Sequence, residues 1–342
     1  MATFLLLLAP SSNRVYAGES PRLAAAELQI LLASAGITST PAVTDVAGVS
    51  YVGFEADGAS ADVVAQHSAR LALFETTGDL LRPVRLPEVD LLDDDLITIP
   101  KYQGKTNEQL TRLLLNVTLA QVTTGRQQLS VLDPLAGRGT TLLAGWMRGL
   151  DVAGVEVDEK AVEAMAAYVT AYLRRKRLKH TARTTPVRRE GKSLGKRFDA
   201  EVTVDGRALT LGVFTGDTRQ SAALWGRRTF DAIVTDAPYG VVHGSQTDVK
   251  GAPTGPKRDR SASGLLKAAI PVWAGQLRAG GALGVSWNTY GMSREDLVAV
   301  LAGAGLDVRD DGPWRSFSHR VDSSIQRDLV VAVKPRHPGG QA

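Results

Sequence analysis

The chain has 342 residues, 44% hydrophobic and 22% charged, with 40 Lys and Arg, 36 Asp and Glu and no cysteine. That length suits two folding units of about 100–200 residues each, and no stretch approaches the ~20 apolar residues of a membrane-spanning helix. The lack of cysteine excludes a disulfide framework and any thiolate zinc site, and fits a reducing cytoplasm.

The apolar run over residues 3–9 lacks the basic residues that precede a secretory core, so it reads as a buried first strand. A helix over 21–35 follows, with Pro21 at its first position and Gly36 as its stop. One or two strands over 43–55, a helix over 60–77 and a strand over 80–86 complete a β-α-β-β-α-β order. This predicts a small α+β, ferredoxin-like unit over residues 1–90, with 91–100 as an acidic linker around Asp93, Asp94 and Asp95. Over 101–335 strands and helices alternate, which predicts an α/β, doubly wound, Rossmann-like sheet. Its helices fall at 107–122, 140–148, 159–173, 262–278 and 293–303, and its strands at 129–133, 152–157, 230–235 and 282–287. A hairpin over 200–204 and 208–214 turns at Asp205-Gly206, and two last strands near 314–320 and 327–334 make an antiparallel finish. Residues 336–342 read as a tail.

The net charge of +4 is unevenly spread. Residues 174–197 hold eleven Lys and Arg against Glu190, so this stretch carries +10 and the remainder −6. Together with the hairpin it forms a basic insertion over 174–214, and such a charge density attracts phosphates. Arg174, Arg175, Lys176, Arg177, Arg188 and Arg189 are therefore candidate nucleic-acid contacts. The five histidines at 67, 180, 243, 319 and 337 lack metal-ligand spacing, and no metal is expected.

Asp133, Pro134, Ala136, Gly137, Gly139, Thr140 and Thr141 occupy the carboxyl end of a strand, where open α/β sheets bind ligands. Glycine there lets backbone approach a ligand, and the following helix offers free N–H groups. The spacing is not G-x-G-x-x-G, because Leu142 stands at the third glycine position, and no lysine follows to make a phosphate loop. At the next strand end, Glu156 and Val157 are placed to meet a ribose, with Asp158 as a helix cap. Gly216, Asp217 and Thr218 end a third strand, where a carboxylate can accept from an adenine amine.

Asp236, Ala237, Pro238 and Tyr239 end the fourth strand and form the most specific element. An exocyclic base amine is a poor nucleophile, because its lone pair is delocalised into the ring. Acceptors on both of its hydrogens draw it towards sp³ geometry. Asp236 supplies one acceptor and the Ala237 carbonyl the other, while Pro238 sets the chain direction. Tyr239 offers a ring for base stacking, worth about 1–3 kcal/mol. The residues suit methyl transfer to such an amine, with no strong general base needed. The loop from His243 to Arg260 carries Lys257 and Arg258 and is placed to close over a substrate.

In motif order and in the leader Lys101-Tyr-Gln-Gly-Lys105-Thr106-Asn107, the chain resembles the tRNA guanine-N2 methyltransferase family that modifies position 10 in archaea and eukaryotes. The resemblance implies a doubly wound methyltransferase sheet with an antiparallel last strand, S-adenosylmethionine as cofactor, and tRNA or another RNA as substrate. It also implies a small activator protein as a further partner, and cofactor contacts for Lys105, Thr106 and Asn107. Two departures stand out. Ala237 replaces the first proline of the usual Asp-Pro-Pro-Tyr, and residues 91–100 cannot hold the family's THUMP RNA-binding domain. DNA adenine-N6 and cytosine-N4 methyltransferases share the tetrapeptide and are the alternative, with small-molecule N-methylation behind them.

Overall fold

A computed structural model describes residues 2–11, 13–57, 60–102, 104–189, 192–238 and 262–336. The first unit runs β1 (Ala2–Leu8), α1 (Arg14–Ser34), β2 (Ala42–Val46), β3 (Val49–Ala56), α2 (Ala61–Val64), β4 (Arg70–Thr77) and β5 (Leu80–Val84). Its antiparallel sheet has the order β2-β3-β1-β4-β5, the ferredoxin-like arrangement with one extra edge strand. The helix expected over 60–77 is a single turn followed by strand β4. Helix-forming alanines sustain only Ala61–Val64. Residues 70–77 instead complete the ladder on β1, where Leu6 faces Leu73 and both are buried.

Helix α1 starts seven residues before Pro21, which it carries inside. Its cap is Asn13, whose carboxamide accepts from the N–H groups of Val15 at 3.0 Å and Tyr16 at 3.2 Å. The added turns bury Tyr16 edge-on against His319, with ring centroids 5.7 Å apart.

The second unit contains α3 (Asp95–Thr98), α4 (Glu108–Leu119), β6 (Ser130–Asp133), α5 (Thr140–Met147), β7 (Asp151–Glu156) and α6 (Glu159–Arg175). It continues through β8 (Lys179–Arg189), β9 (Lys192–Val204), β10 (Arg207–Thr215), α7 (Ser221–Trp225), β11 (Phe230–Asp236) and α8 (Ala262–Gln276). It ends with β12 (Leu277–Asn288), α9 (Arg294–Gly303), β13 (Asp307–Arg309), β14 (His319–Arg320) and β15 (Gln326–Val333). The sheet order is β13-β15-β12-β11-β6-β7-β10-β9-β8, with β14 on β15. Strands β12, β11, β6, β7 and β10 run parallel, and β15 lies antiparallel on β12. Order reverses between β6 and β11, so their carboxyl ends open the crevice where such sheets bind ligands.

The described residues of the basic stretch are mainly regular secondary structure. They form the end of α6 and the hairpin β8–β9, which extends the sheet beyond β10. Threonines 181, 184 and 185 with Val187 suit a strand, and Phe198 and Val202 of β9 join the core beneath α6. The residues near 314–320 form a 3₁₀ turn, Gly312–Arg315, and the two-residue β14 rather than one strand.

The two units are joined by α1, which contributes to a core on each side. Ala24, Leu28 and Leu32 of α1 face the small sheet, while Leu23, Ala26 and Ile30 pack in the core of the large one. Between them the Glu27 carboxylate is fully buried and accepts from the Ser68 N–H at 2.9 Å, the Ser68 hydroxyl and the Asn116 amide at 2.7 Å. Asn116 in turn accepts from Arg148 at 2.8 Å. The acidic linker is ion-paired along its length: Arg112 holds Asp90 and Asp94, and Lys176 holds Asp93 and Asp95. Replacing Asn116 with Ala strips partners from Glu27 and Arg148 at once. It should cost about 2–3 kcal/mol in urea unfolding and lower the melting temperature of both units together.

Candidate active site

Four strand ends, the leader before α4 and the last strand converge at the crevice. Asp133 closes β6 almost fully buried, accepting from the Thr235 hydroxyl at 2.8 Å and the Leu135 N–H at 3.1 Å. Burial pushes its carboxyl up to about 7, against hydrogen bonds from Thr235, Leu135 and Thr141, with the charge of nearby Asp236 adding to the rise. Pro134 and Ala136 are buried beside it, and the Ala136 N–H bonds to the Val155 carbonyl of β7 at 3.0 Å.

The turn that follows is held by Glu156. Its carboxylate accepts the Gly137 N–H at 2.7 Å and the Asp158 N–H at 2.8 Å, and burial raises its pKa. Gly137 and Gly139 both need positive φ, +52° and +86°. A Cβ on Gly139 would lie 2.2 Å from the Met165 sulfur, whereas one on Gly137 would meet nothing within 4 Å. The Gly137 backbone thus faces open space at the head of α5. Val157, next to Glu156, is 65% exposed, unusual for an apolar residue at a strand end.

Gly216 continues from β10 and donates its N–H to the Glu156 carbonyl at 2.8 Å, which brings the second and third strand ends together. Asp217 caps the turn after it, accepting the Arg219 N–H at 2.9 Å and pairing with that arginine's guanidinium. Thr218 is buried and accepts from the Trp273 indole at 3.0 Å.

The leader's three residues divide. The Lys105 ammonium bonds to Glu108 and the Ile97 carbonyl, and Asn107 caps α4 through the N–H groups of Gln109 and Leu110. Thr106 reaches the strand-end tetrapeptide, donating to Asp236 Oδ2 at 2.7 Å. Tyr102 lies over the glycine turn, its hydroxyl 2.8 Å from Thr140 and its ring 4.8 Å from the Arg138 guanidinium carbon. A cavity of 190 Å³ opens there, lined by Tyr102, Arg138, Met165 and Tyr168.

Asp236 is the centre of the arrangement. Oδ2 also accepts from Arg327 Nη2 at 3.0 Å, and Arg327 is only 2% exposed as a residue. Oδ1 is buried and has no partner among the described residues. The Ala237 N–H bonds to the Ser286 carbonyl at 2.8 Å, which fixes the turn out of β11. Pro238 follows, while Tyr239, His243, Lys257 and Arg258 lie outside the described residues.

Sequence reading missed Arg327, Thr235 and Tyr102. The one available signal was Arg327-Asp328 ahead of the apolar run Leu329–Val333, since two charges entering a buried strand need partners. Which partner each takes depends on the sheet order, and Arg327 meets a carboxylate 91 residues away.

The basic candidates separate into two places. Helix α6 rises about 25 Å over its 17 residues and runs away from the crevice. Arg174, Arg175, Lys176 and Arg177 therefore sit at the opposite end of the sheet, with Arg175 and Lys176 paired to linker acids. Arg188 is exposed near the hairpin tip, on the crevice side, with Arg189 next to it in the strand.

No family model and no curated protein matches the chain. Among solved structures it is similar to TrmN from Thermus thermophilus, at 14% identity and a TM-score of 0.42, over 89% of this chain and 64% of that one. It is also similar to the rRNA methyltransferase aviRa from Streptomyces viridochromogenes, at 18% identity and a TM-score of 0.39, over 73% and 94% of the two chains. A precorrin-6y C5,15-methyltransferase from Geobacter metallireducens GS-15 shows 12% identity and a TM-score of 0.39, over 72% and 98%. The chain thus spans just under two thirds of the TrmN length. Likenesses at this level do not bear on substrate. Among the described residues no helix is long and apolar enough to cross a membrane, and no group of side chains could hold a metal ion.

The raised pKa of Asp133 has a measurable sign. Its folded value of about 7 lies above the unfolded carboxylate range, so its contribution is greatest in acid and is lost as pH rises through 7. Between pH 5 and pH 7 this group should lower stability by about 1.4 kcal/mol per pH unit. Asp133→Asn should flatten that part of the slope in urea midpoints taken across the range.

Proposed function

We propose that the protein transfers a methyl group from S-adenosylmethionine to an exocyclic amino group of a nucleobase in RNA. The resemblance favours guanine N2, in tRNA, as that amine. The carrying observation is the divided carboxylate of Asp236. Thr106 and Arg327 hold Oδ2, and Oδ1 is left as a buried acceptor without a partner among the described residues.

The residues present fit the cofactor. Gly137 offers backbone to open space, Val157 gives an exposed apolar surface for an adenine, and Glu156 retains acceptor capacity for ribose hydroxyls. Asp217, which pairs with Arg219 at the third strand end, is assigned to the adenine amine. When bound, S-adenosylmethionine supplies an electrophilic methyl whose bonding pair departs onto sulfur. Asp236 Oδ1 accepts a hydrogen bond from one amine hydrogen, and the Ala237 carbonyl is assigned the other. Tyr239 stacks the base, which must be unpaired or flipped to reach the crevice. The amine turns acidic only after alkylation, so its proton leaves last, to the Asp236 carboxylate and then to solvent, and alignment supplies most of the acceleration. Arg188, Arg189, His243, Lys257 and Arg258 are assigned to the RNA.

Labelled methyl transfer into total RNA and into DNA, followed by nucleoside analysis, tests the reading. Label in N2-methylguanosine is expected; label confined to DNA N6-methyladenine or N4-methylcytosine would replace RNA with DNA as substrate. Asp236→Ala should abolish transfer with calorimetric cofactor binding intact, while Thr106→Val should lower kcat about tenfold, the loss of one hydrogen bond to a charged group. Glu156→Ala should raise the cofactor Kd, and an unchanged value would remove it from the ribose role.

A further inference from the structure

Among the described residues the extension made by β8 and β9 is covered on one face only. Phe198, Val202 and Leu209 pack in the core under α6, while the other face forms a groove of 720 Å³. Arg183, Arg188, Arg197 and Arg228 line it, with Thr185 and Thr210 between them. Helix α7 is too short to reach across: it ends at Trp225 beside Gly212 of β10.

We propose that this groove holds phosphates of the RNA segment that flanks the target base. The proposal rests on the RNA reading above and identifies how the base is delivered. Three observations carry it. First, Arg197 and Arg228 stack on Trp225, with guanidinium carbons 5.1 and 5.0 Å from its ring centroid. Stacking fixes both cations in place before any ligand arrives, so less rotamer freedom is lost on binding. Arg228 makes no ion pair among the described residues, and burial, with Arg197 and Arg278 nearby, holds its pKa below the usual arginine range despite Asp151.

Second, the groove's two acids offset only part of the charge of Arg183, Arg188, Arg197 and Arg228. Asp199 is taken by Arg197 at 2.6 Å, and Glu201 lies towards the far end, away from the crevice. Third, the groove leads to the site. Arg197 faces Phe214, one residue before Thr215, and Thr215 faces Glu156 on β7. The hairpin hugs that strand end so closely that a Cβ on Gly195 would stand 2.5 Å from the Thr215 carbonyl oxygen. An RNA strand along the groove is thereby led to the edge where Asp236 waits. The cations at the end of α6 offer no such route.

Fluorescence anisotropy of a labelled tRNA transcript with the full chain, across a salt series, tests this. Arg183→Glu alone, and with Arg228→Gln, should raise the RNA Kd at least tenfold and reduce the slope of log Kd against log salt by about 1 for each phosphate no longer neutralised. The melting temperature and the cofactor Kd of Arg183→Glu should match wild type, and its KM for RNA should rise. The pair Arg174→Glu and Arg177→Glu, at the opposite end, should leave affinity unchanged. Wild-type affinity in Arg183→Glu, or its loss in the Arg174 and Arg177 pair, overturns the groove while methylation of RNA by the wild type still stands. A wild-type chain that neither binds nor methylates RNA, even if it captures an acidic protein, overturns both readings.

Discussion

Two donors from distant parts of the chain meet on one oxygen of Asp236. Thr106 arrives on the leader into α4, and Arg327 on the antiparallel last strand. Asp236 itself ends β11, whose Thr235 bonds to Asp133 on β6. Leader, central strands and the antiparallel β15 are thus fastened at one carboxylate. A buried arginine normally needs full compensation. Here the carboxylate gives it one oxygen and leaves the other without a partner among the described residues, so the same ion pair holds the fold and orients the acceptor that the proposed reaction would use.

A second constraint acts around the cofactor crevice. Glu156 holds the glycine turn shut from below while its burial opposes ionisation, and Asp133 experiences the same opposition more strongly. Both carboxyls stand near the place assigned to a sulfonium cation, whose charge would relieve their cost. Desolvated acids at strand ends are therefore consistent with a site built to receive positive charge.

Much of this was legible in sequence. The glycine turn, the three acids on successive strands and Asp236-Ala237-Pro238 are local patterns, because strand-to-turn transitions depend on nearby residues. The doubly wound order followed from alternation. Where the reading departed from the structure, long-range packing decided. Residues 70–77 became strand since β1 lacked a partner on that side, and α1 began early because Tyr16 is buried against His319. The basic stretch could not be resolved by charge alone. Helix direction put Arg174 to Arg177 at one end of the sheet, and hairpin register put Arg188 at the other. Arg327 was hidden for the same reason, since only sheet order reveals its partner.

Helix α1 has no solvent side of the usual breadth, because it serves two hydrophobic cores at once. A fragment beginning in the linker would leave an apolar trough along α4, with Asn116 and Arg148 stripped of their neighbours. Such a piece would be sticky and short-lived in a cell, an open invitation to chaperones and proteases. The small sheet is therefore a structural part of the same body as the large one.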